Sequence, residues 1–203
     1  MGGTMSSVVI AGDTSGSITL AAPAVAGSNT ITLPATTGTA LVAPTALTVP
    51  NTTGTVMVSG NMPAFSAYIA TNQTISSGVY TKMQCATEEF DTASCYDNTT
   101  NYRFTPNVAG YYQVNGEHDN NTGTITRTII SIYKNGSEFK RGSDIGVSSG
   151  NLSNGAGATV SALIYLNGST DYIELYAYYL GGGVLAGGLP SQSYFQAFLA
   201  RAA

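Results

Sequence analysis

His118 is the only histidine of the chain, and it stands between two acids, Glu117 and Asp119. A histidine beside a carboxylate can act as the general base for a serine nucleophile. That chemistry needs the serine in a strained turn, and the sequence contains no Gly-x-Ser-x-Gly. The turn-forming residues Asn120-Asn121-Thr122-Gly123 follow directly. We therefore expect Glu117-His118-Asp119 to cap an exposed strand end rather than to catalyse a reaction.

Glu88, Glu89 and Asp91 are a second group of residues whose types could do chemistry. Two carboxylates on either side of a glycosidic bond can hydrolyse it, one as acid and the other as base or nucleophile. The reaction requires the acids to converge in a cleft. Their spacing alone does not establish such a cleft.

Calcium would be held by carboxylate and carbonyl oxygens, and the candidate ligands are Asp97, Asp119, Asp144 and Asp171. These acids are scattered, and no EF-hand-like spacing links them. Asp residues also form turns by bonding to nearby backbone groups, which is the interpretation that the spacing favours. We therefore expect no metal and no cofactor, and no enzymatic activity.

Cys85 and Cys95 are the two cysteines, and they are ten residues apart across an expected hairpin. A disulfide between them would close a short loop and contribute about 3 kcal/mol. Two small buried free thiols are an equally good interpretation. A metal site is not supported, because no histidine lies nearby to complete it.

Charge is sparse in this chain: 9% of residues are charged, and the net charge is −4. So few charges indicate that much surface is buried between subunits or that Thr, Ser, Asn and Gly solvate it. The absence of a basic stripe argues against nucleic acid as a partner. No apolar run reaches 18 residues, so no membrane insertion is expected. The N-terminal residues also lack the pattern of a secretory signal peptide.

Composition changes abruptly near residue 62, which predicts two regions, 1–61 and 62–203. Every Tyr and Phe lies at or after Phe65, whereas residues 1–61 contain one charged residue, Asp13. Within the first region, residues 32–42 recur as residues 48–58. Repeats mark units that bury their apolar face only against a neighbour. The repeat favours an ordered β-rich stem, wound from several copies, over a flexible linker.

The second region has the pattern of strands throughout. Apolar residues alternate from Thr159 to Leu166 and from Tyr172 to Tyr179, and Asn135-Gly136 predicts a type I′ hairpin turn. About eight to ten strands, with no helical periodicity, predict a jelly-roll sandwich. We interpret residues 104–116, with Pro106 and Gly110 between two strands, as the central hairpin.

Residues 62–203 resemble the globular C1q/TNF-like jelly roll. The resemblance rests on five landmarks that occur in order: Pro63-Ala64-Phe65-Ser66-Ala67, Phe90-Asp91, Phe104-Thr105-Pro106 with Ala109-Gly110-Tyr111-Tyr112, Leu166-Asn167-Gly168-Ser169-Thr170-Asp171, and Phe195-Gln196-Ala197-Phe198-Leu199. It implies a homotrimer packed through aromatic sheet faces at the tip of a stalk. It also places Glu88, Glu89 and Asp91 at a sheet edge rather than in a cleft.

With this resemblance, the aromatic residues of the strands are expected in the core or the trimer interface. The set is Tyr111, Tyr112, Tyr176, Tyr178, Phe195 and Phe198. Binding usually resides in variable loops on a rigid scaffold. The Gly-rich loops at 144–157 and 181–188 are therefore the candidate recognition loops, and they contain Asp144, Asn151, Asn154 and Leu185.

Residues 17–23 and 29–35 resemble short stem modules in tail-fibre-like proteins of tailed bacteriophages. This resemblance implies a structural virion protein, made in the host cytoplasm and exposed after lysis. Its stem would dock to other virion proteins, and its knob would contact a glycan or protein of the host surface. A capsid decoration or head-fibre trimer is the first alternative, and a free bacterial lectin-like module is the second.

Overall fold

The computed structural model describes residues 7–11, 17–21, 62–121, 124–181, 183–185, 187 and 189–203. The chain divides into two compact units, Met1–Asn51 and Thr52–Ala203. In the first unit, β1 (Ser7–Ala11) and β2 (Ser17–Ala21) pair antiparallel, with Ser7 opposite Ala21. The predicted repeat at 32–58 and the predicted boundary between residues 61 and 62 lie outside the described residues.

The second unit contains two main antiparallel sheets. The five-stranded sheet consists, in spatial order, of β12 (Gly157–Leu166), β9 (Gly110–Asp119), β15 (Tyr194–Ala202), β3 (Ala64–Tyr68) and β6 (Thr87–Asp91). The six-stranded sheet consists of β11 (Ser137–Gly146), β10 (Arg127–Lys134), β13 (Ile173–Leu180), β8 (Arg103–Phe104) and β7 (Tyr96–Asp97), and β5 (Thr81–Lys82) also pairs with β13. A small sheet joins β14 (Gly183–Leu185) to β4 (Gln73–Ile75). None of the described residues forms a helix long and apolar enough to cross a membrane.

The core lies between the two main sheets and follows from the alternation of side chains along each strand. In β12, for example, Val160 and Ile164 are buried, whereas Leu163 and Tyr165 face outward. Aromatic rings fill the centre, because Phe65 stacks on Tyr96 at 4.4 Å and on Phe104 at 4.7 Å between ring centroids. The predicted jelly-roll sandwich is confirmed.

Residues 104–116 connect the two sheets, so the predicted central hairpin is wrong. β8 pairs with β13 in the six-stranded sheet, whereas β9 pairs with β12 and β15 in the five-stranded sheet. The reason is that Phe104 and Tyr112 enter the same core from opposite sides, with their ring centroids 5.6 Å apart. The chain between β8 and β9 crosses from one sheet to the other, and we call it the crossing segment. The Tyr112 hydroxyl donates to the Val108 carbonyl at 2.6 Å and thereby fixes this segment.

The predicted turn at Asn135-Gly136 is confirmed by the backbone. Asn135 and Gly136, between β10 and β11, have φ values of +53° and +80°, as a type I′ turn requires. Gly168, after β12, has φ +72°, and a Cβ there would lie 2.2 Å from the Ala109 nitrogen. Only glycine therefore fits where this turn packs on the crossing segment.

Both cysteines are buried free thiols, which is the second of the two interpretations that the sequence left open. Burial raises the pKa of the Cys85 thiol far above its ordinary value, which keeps it protonated and unreactive. The Cys95 thiol donates to the Ala93 carbonyl at 3.4 Å.

We predict that iodoacetamide labels neither cysteine of the native protein at neutral pH, because alkylation needs an exposed thiolate. In guanidinium chloride without reductant, both cysteines should be labelled within minutes, as intact-mass measurement would record. A denatured chain that needs reductant before it takes up label would contradict the free-thiol assignment.

Candidate assembly and recognition surfaces

His118 is fully buried between the sheets, so its predicted position at an exposed strand end is wrong. It lies on the inward face of β9, and its Nε2 is 3.1 Å from the Thr128 hydroxyl. Its Nδ1 is 3.2 Å from the Tyr179 hydroxyl. Burial lowers the pKa of His118 to about 4. Both ring nitrogens therefore have protein partners, and no substrate can reach them.

Two of the three acids of β6, Glu89 and Asp91, accept hydrogen bonds from nearby residues, and the third, Glu88, is exposed. Glu89 accepts a hydrogen bond from the Ser66 hydroxyl at 2.7 Å. Asp91 accepts from the backbone nitrogens of Ala93 and Tyr96 at 3.1 and 2.7 Å. An open cavity of about 280 Å³ reaches Glu89 but contains no second carboxylate. This arrangement lacks the facing acid pair that glycoside hydrolysis requires.

Two of the acids considered for calcium, Asp97 and Asp171, are engaged by nearby groups. Backbone donation from Thr100 and the Asn101 side-chain amide lower the pKa of Asp97. Asp171 accepts from Asn135 and forms an ion pair with Lys134 at 2.9 Å. Among the described residues, no three His, Cys, Asp or Glu side chains are grouped so that they could hold a metal ion.

Large apolar side chains are clustered on the outer face of the five-stranded sheet. We call this cluster the assembly face and define it as Tyr111, Leu163, Tyr165 and Phe198. Tyr111 and Tyr165 are paired across β9 and β12, with their ring centroids 5.5 Å apart. Gln113 is opposite Leu163 on one side and opposite Phe198 on the other, so the four side chains form one contiguous patch.

A polar row lies beside the assembly face on the same surface. Gln113 donates to the Ser161 hydroxyl at 2.9 Å and to the Asn115 side-chain oxygen at 3.1 Å. Ser161 donates to the same Asn115 oxygen at 2.9 Å. The three side chains hold one another in place across β9 and β12. A partner that packs here meets a preformed polar row as well as the apolar patch.

Four tyrosines form a second cluster, on the outer face of the six-stranded sheet. We call it the tyrosine platform and define it as Tyr80, Tyr133, Tyr176 and Tyr178. The rings of Tyr133 and Tyr176 stack at 3.9 Å. The ring of Tyr80 lies 5.0 Å from that of Tyr178 and 6.2 Å from that of Tyr133.

Two ion pairs border the tyrosine platform. Arg127 donates to both carboxylate oxygens of Asp144, at 2.7 and 2.6 Å. Arg141 donates to both oxygens of Glu138, at 2.8 and 3.0 Å, and its guanidinium lies 5.9 Å from the centre of the Tyr80 ring. The pKa of Asp144 is lowered, chiefly by the hydrogen bond from Arg127.

The aromatic residues predicted for the core or interface are divided among three places. Tyr112 and Phe195 are buried in the core, and Tyr111 and Phe198 lie on the assembly face. Tyr176 and Tyr178 belong to the tyrosine platform. Three further members of the two surfaces, Leu163, Tyr80 and Tyr133, were not predicted. The alternation of β12 contained the signal for Leu163 and Tyr165.

The predicted recognition loops are partly wrong. Asp144 lies within β11 and is paired with Arg127, so it is a strand residue. Leu185 lies in β14, opposite Gln73 of β4, and its side chain is fully buried in the hydrophobic core. Asn151 and Asn154 are exposed, but Leu152 between them is buried and its nitrogen donates to the Ile125 carbonyl at 2.8 Å. This loop is therefore anchored to the core.

Comparison with known proteins agrees on the fold. No protein-family model and no curated protein sequence matches the chain. The Eiger TNF structure from S. frugiperda matches at TM-score 0.51 and 10% identity, over 70% of this chain and 93% of that chain. Murine APRIL matches at TM-score 0.48 and 11% identity, over 68% and 98%. PRD1 vertex protein P5 matches at TM-score 0.44 and 16% identity, over 70% and 98%. The described part of the second unit is thus an all-β jelly-roll sandwich of the C1q/TNF-like kind.

Proposed function

We propose that the chain is a homotrimeric structural protein of a tailed-bacteriophage virion. The N-terminal stem docks to other virion proteins, and the C-terminal jelly roll projects as a knob that attaches to the host surface. The observation that carries the proposal is the assembly face. Its exposed apolar side chains give the knob a surface for joining to copies of itself.

The exposure of the assembly face is large enough to drive association. Leu163 is 57% exposed, Phe198 48%, Tyr165 43% and Tyr111 42%. Single exposed apolar residues are ordinary, whereas a contiguous group on one face marks an interaction site. Burying a fully exposed side chain of this kind contributes about 1.5–3 kcal/mol. Because these four are about half-exposed, each contributes roughly half of that amount, and together they offset part of the cost of association.

Three copies, rather than two, are supported by the resemblance to C1q/TNF-like jelly rolls, which implies subunits packed through aromatic sheet faces. The assembly face is such a surface, and it belongs to the sheet that contains the chain's last strand, β15. The low charge content is consistent with burial of this face. The outer face of the six-stranded sheet would then remain accessible on all three subunits.

Attachment by such a knob rests on valency. Three identical weak sites that engage one surface together can bind about 10²–10⁴ times more tightly than one site. The knob therefore needs only a shallow site on each subunit. The outer face of the six-stranded sheet supplies a candidate surface for this attachment, which requires no catalytic chemistry.

A capsid decoration or head-fibre trimer is the first alternative. A free bacterial lectin-like module is the second. Cryo-electron microscopy of particles from an infected culture separates the three: density at a tail or baseplate, at capsid vertices or capsomer centres, or on no particle at all.

We predict that the full-length chain in solution has about three times the 20.8 kDa mass of one copy. Light scattering behind size-exclusion chromatography, at about 10 µM protein and physiological salt, measures this mass directly. The apolar burial proposed above gives the physical reason. A monomeric mass at that concentration would contradict the proposal, since it would leave the assembly face in water.

A further inference from the structure

We propose that the tyrosine platform is a binding site for a neutral glycan, with the saccharide ring lying on the Tyr80 side of the cluster. This inference rests on the proposed function, because it names the site and the ligand class through which the knob would attach. It is carried by four features of the platform: its accessibility, its floor, its rigid border and its charge balance.

The four tyrosines are partly exposed. Among the described residues, the hydroxyls of Tyr80, Tyr133, Tyr176 and Tyr178 have no hydrogen-bond partner, and no side-chain oxygen that lacks a partner is buried, so these hydroxyls are accessible to solvent. By contrast, the core tyrosines Tyr112 and Tyr179 both have hydroxyl partners. The platform therefore offers apolar ring faces together with free donors and acceptors. That combination is what a sugar needs, with its apolar C–H face and its ring of hydroxyls.

The platform also has a floor. Ile129 and Ser131 alternate with the core residues of β10 and so point to the outer face, yet they are only 2% and 0% exposed. Other side chains on that face must therefore cover them, and these include the platform rings, Arg141 and Glu138, which accepts a hydrogen bond from Ser131. The tyrosines therefore form an ordered layer on a closed base instead of separate mobile side chains, which lowers the entropy cost of binding.

The border of the platform is rigid and polar. The guanidinium of Arg141 is held by two bonds to Glu138, and Glu138 accepts a third from the Ser131 hydroxyl at 2.8 Å. Arg127 and Asp144 form a second two-bond pair. Each pair fixes a planar donor group next to a planar acceptor group. A saccharide hydroxyl can donate a hydrogen bond to the carboxylate of such a pair, while a neighbouring hydroxyl accepts one from the guanidinium.

Charge decides which glycan is favoured. The positive charges of Arg127 and Arg141 are neutralised by the carboxylates of Asp144 and Glu138. Lys82 and Glu174 form a third ion pair, with 2.5 Å between the ammonium nitrogen and the carboxylate oxygen. The surface around the rings is therefore close to neutral. An anionic sugar would have to compete with Glu138 and Asp144 for the arginines, whereas a neutral sugar needs no counter-charge. The geometry thus points to neutral hexose or N-acetylhexosamine units.

The test uses the purified full-length protein and a printed panel of neutral oligosaccharides of glucose, galactose, mannose and their N-acetylamines. Matched uronate-containing oligosaccharides form the acidic set. We expect binding to at least one neutral member, with a dissociation constant of about 0.1–10 mM for one site when it is titrated by NMR. The acidic set should bind at least ten-fold more weakly.

Variants locate the site. Tyr80→Ala should weaken binding of the neutral oligosaccharide at least ten-fold, and Arg141→Lys should weaken it because the two-bond pair with Glu138 is lost. The control is Phe139→Ala, which removes an exposed ring of β11 that lies 5.5 Å from the Lys140 ammonium. It should leave binding unchanged. Thermal melts of all three variants show whether each still folds, and Tyr80→Phe gives a second, milder change at the same position.

Four results would overturn the inference: no neutral oligosaccharide binds, the acidic set binds better, Tyr80→Ala binds as well as the unchanged protein, or Phe139→Ala abolishes binding. Attachment through a protein receptor would be recognised by the first result together with retained adsorption to host cells. Light scattering separates this inference from the proposed trimer. A trimer without glycan binding defeats only the inference, and a glycan-binding monomer defeats only the trimer.

Discussion

Leu163→Glu is expected to convert the trimer into a monomer. Leu163 lies in the middle of the assembly face, opposite Gln113 and more exposed than any other member of the patch. The change places a carboxylate where apolar side chains of three subunits would meet. Each buried charge without a partner costs several kcal/mol, and like charges on neighbouring subunits add repulsion.

The measurement is the molar mass across a dilution series from about 100 to 0.1 µM protein. We expect the unchanged protein to keep the trimer mass over most of this range. The variant should have the mass of one chain throughout, which corresponds to a loss of at least 100-fold in association. Its melting temperature should also depend less on protein concentration, because assembly no longer stabilises the folded chain.

Leu180→Glu is the matched control, since it puts the same charge on an exposed leucine of the other sheet. Leu180 ends β13 and is 43% exposed, the same fraction as Tyr165. It should leave the mass of the assembly unchanged. If Leu180→Glu dissociated the protein and Leu163→Glu did not, the subunits would be joined through the six-stranded sheet, and the assembly face would be assigned wrongly.

The parts of the fold that could be predicted are those that depend only on a few neighbouring residues. Alternation along one strand is a local property, and it places the neighbours Tyr111 and Tyr112 on opposite faces of β9. Turn chemistry is local as well, so the hairpin at Asn135-Gly136 was predicted correctly. Both follow from the steric preferences of two to eight residues, without knowledge of the partners.

The errors concern properties that depend on distant residues. His118 has acids on both sides in sequence, but its burial depends on Thr128 and Tyr179, which reach it across the sandwich. The segment 104–116 resembles a hairpin locally, and only the pairing of β8 with β13 assigns its two ends to different sheets. Leu185 sits in a glycine-rich stretch and is buried because β14 pairs with β4, more than a hundred residues earlier.

The surfaces illustrate the same limit. Tyr80 precedes β5 and belongs to no strand, so no periodic pattern indicates its place beside Tyr178 and Arg141. Leu163 and Tyr165 could be assigned to one face of β12 from alternation. The polar residues Thr159 and Ser161 share that face and indicate that it points away from the core. That Phe198 extends the same patch could not be predicted, because it depends on the pairing of β12 and β15 with β9.

His118 is expected to make the knob markedly less stable in mild acid. It is fully buried, and burial lowers the pKa of its imidazole to about 4 from an ordinary value of 6.5. The neighbouring hydroxyls of Thr128 and Tyr179 stay neutral, and burial raises the pKa of Tyr179 well above its ordinary value. No carboxylate pairs with the ring among its hydrogen-bond partners, so a charged imidazolium would be buried uncompensated.

The direction of the effect follows from proton binding. Between pH 6.5 and 4 the unfolded chain binds a proton at His118, and the folded chain does not, so the free energy of unfolding falls as the pH falls. Above pH 7 the full stability is present. With the two pKa values given, the loss is about 2 kcal/mol at pH 5 and about 3 kcal/mol at pH 4.

His118→Gln isolates this contribution, because glutamine keeps an amide that can bond to Thr128 or Tyr179 but does not titrate. Urea unfolding of both proteins at pH 7.5 and 5, at one fixed protein concentration, gives the comparison. Asp119, whose pKa is raised by burial and by Glu117, is present in both proteins and cancels from the difference. We expect the unchanged protein to lose about 2 kcal/mol more than the variant over this interval. Equal losses in the two proteins would mean that His118 is protonated in the folded state, and its ring would then have to lie outside the dry core.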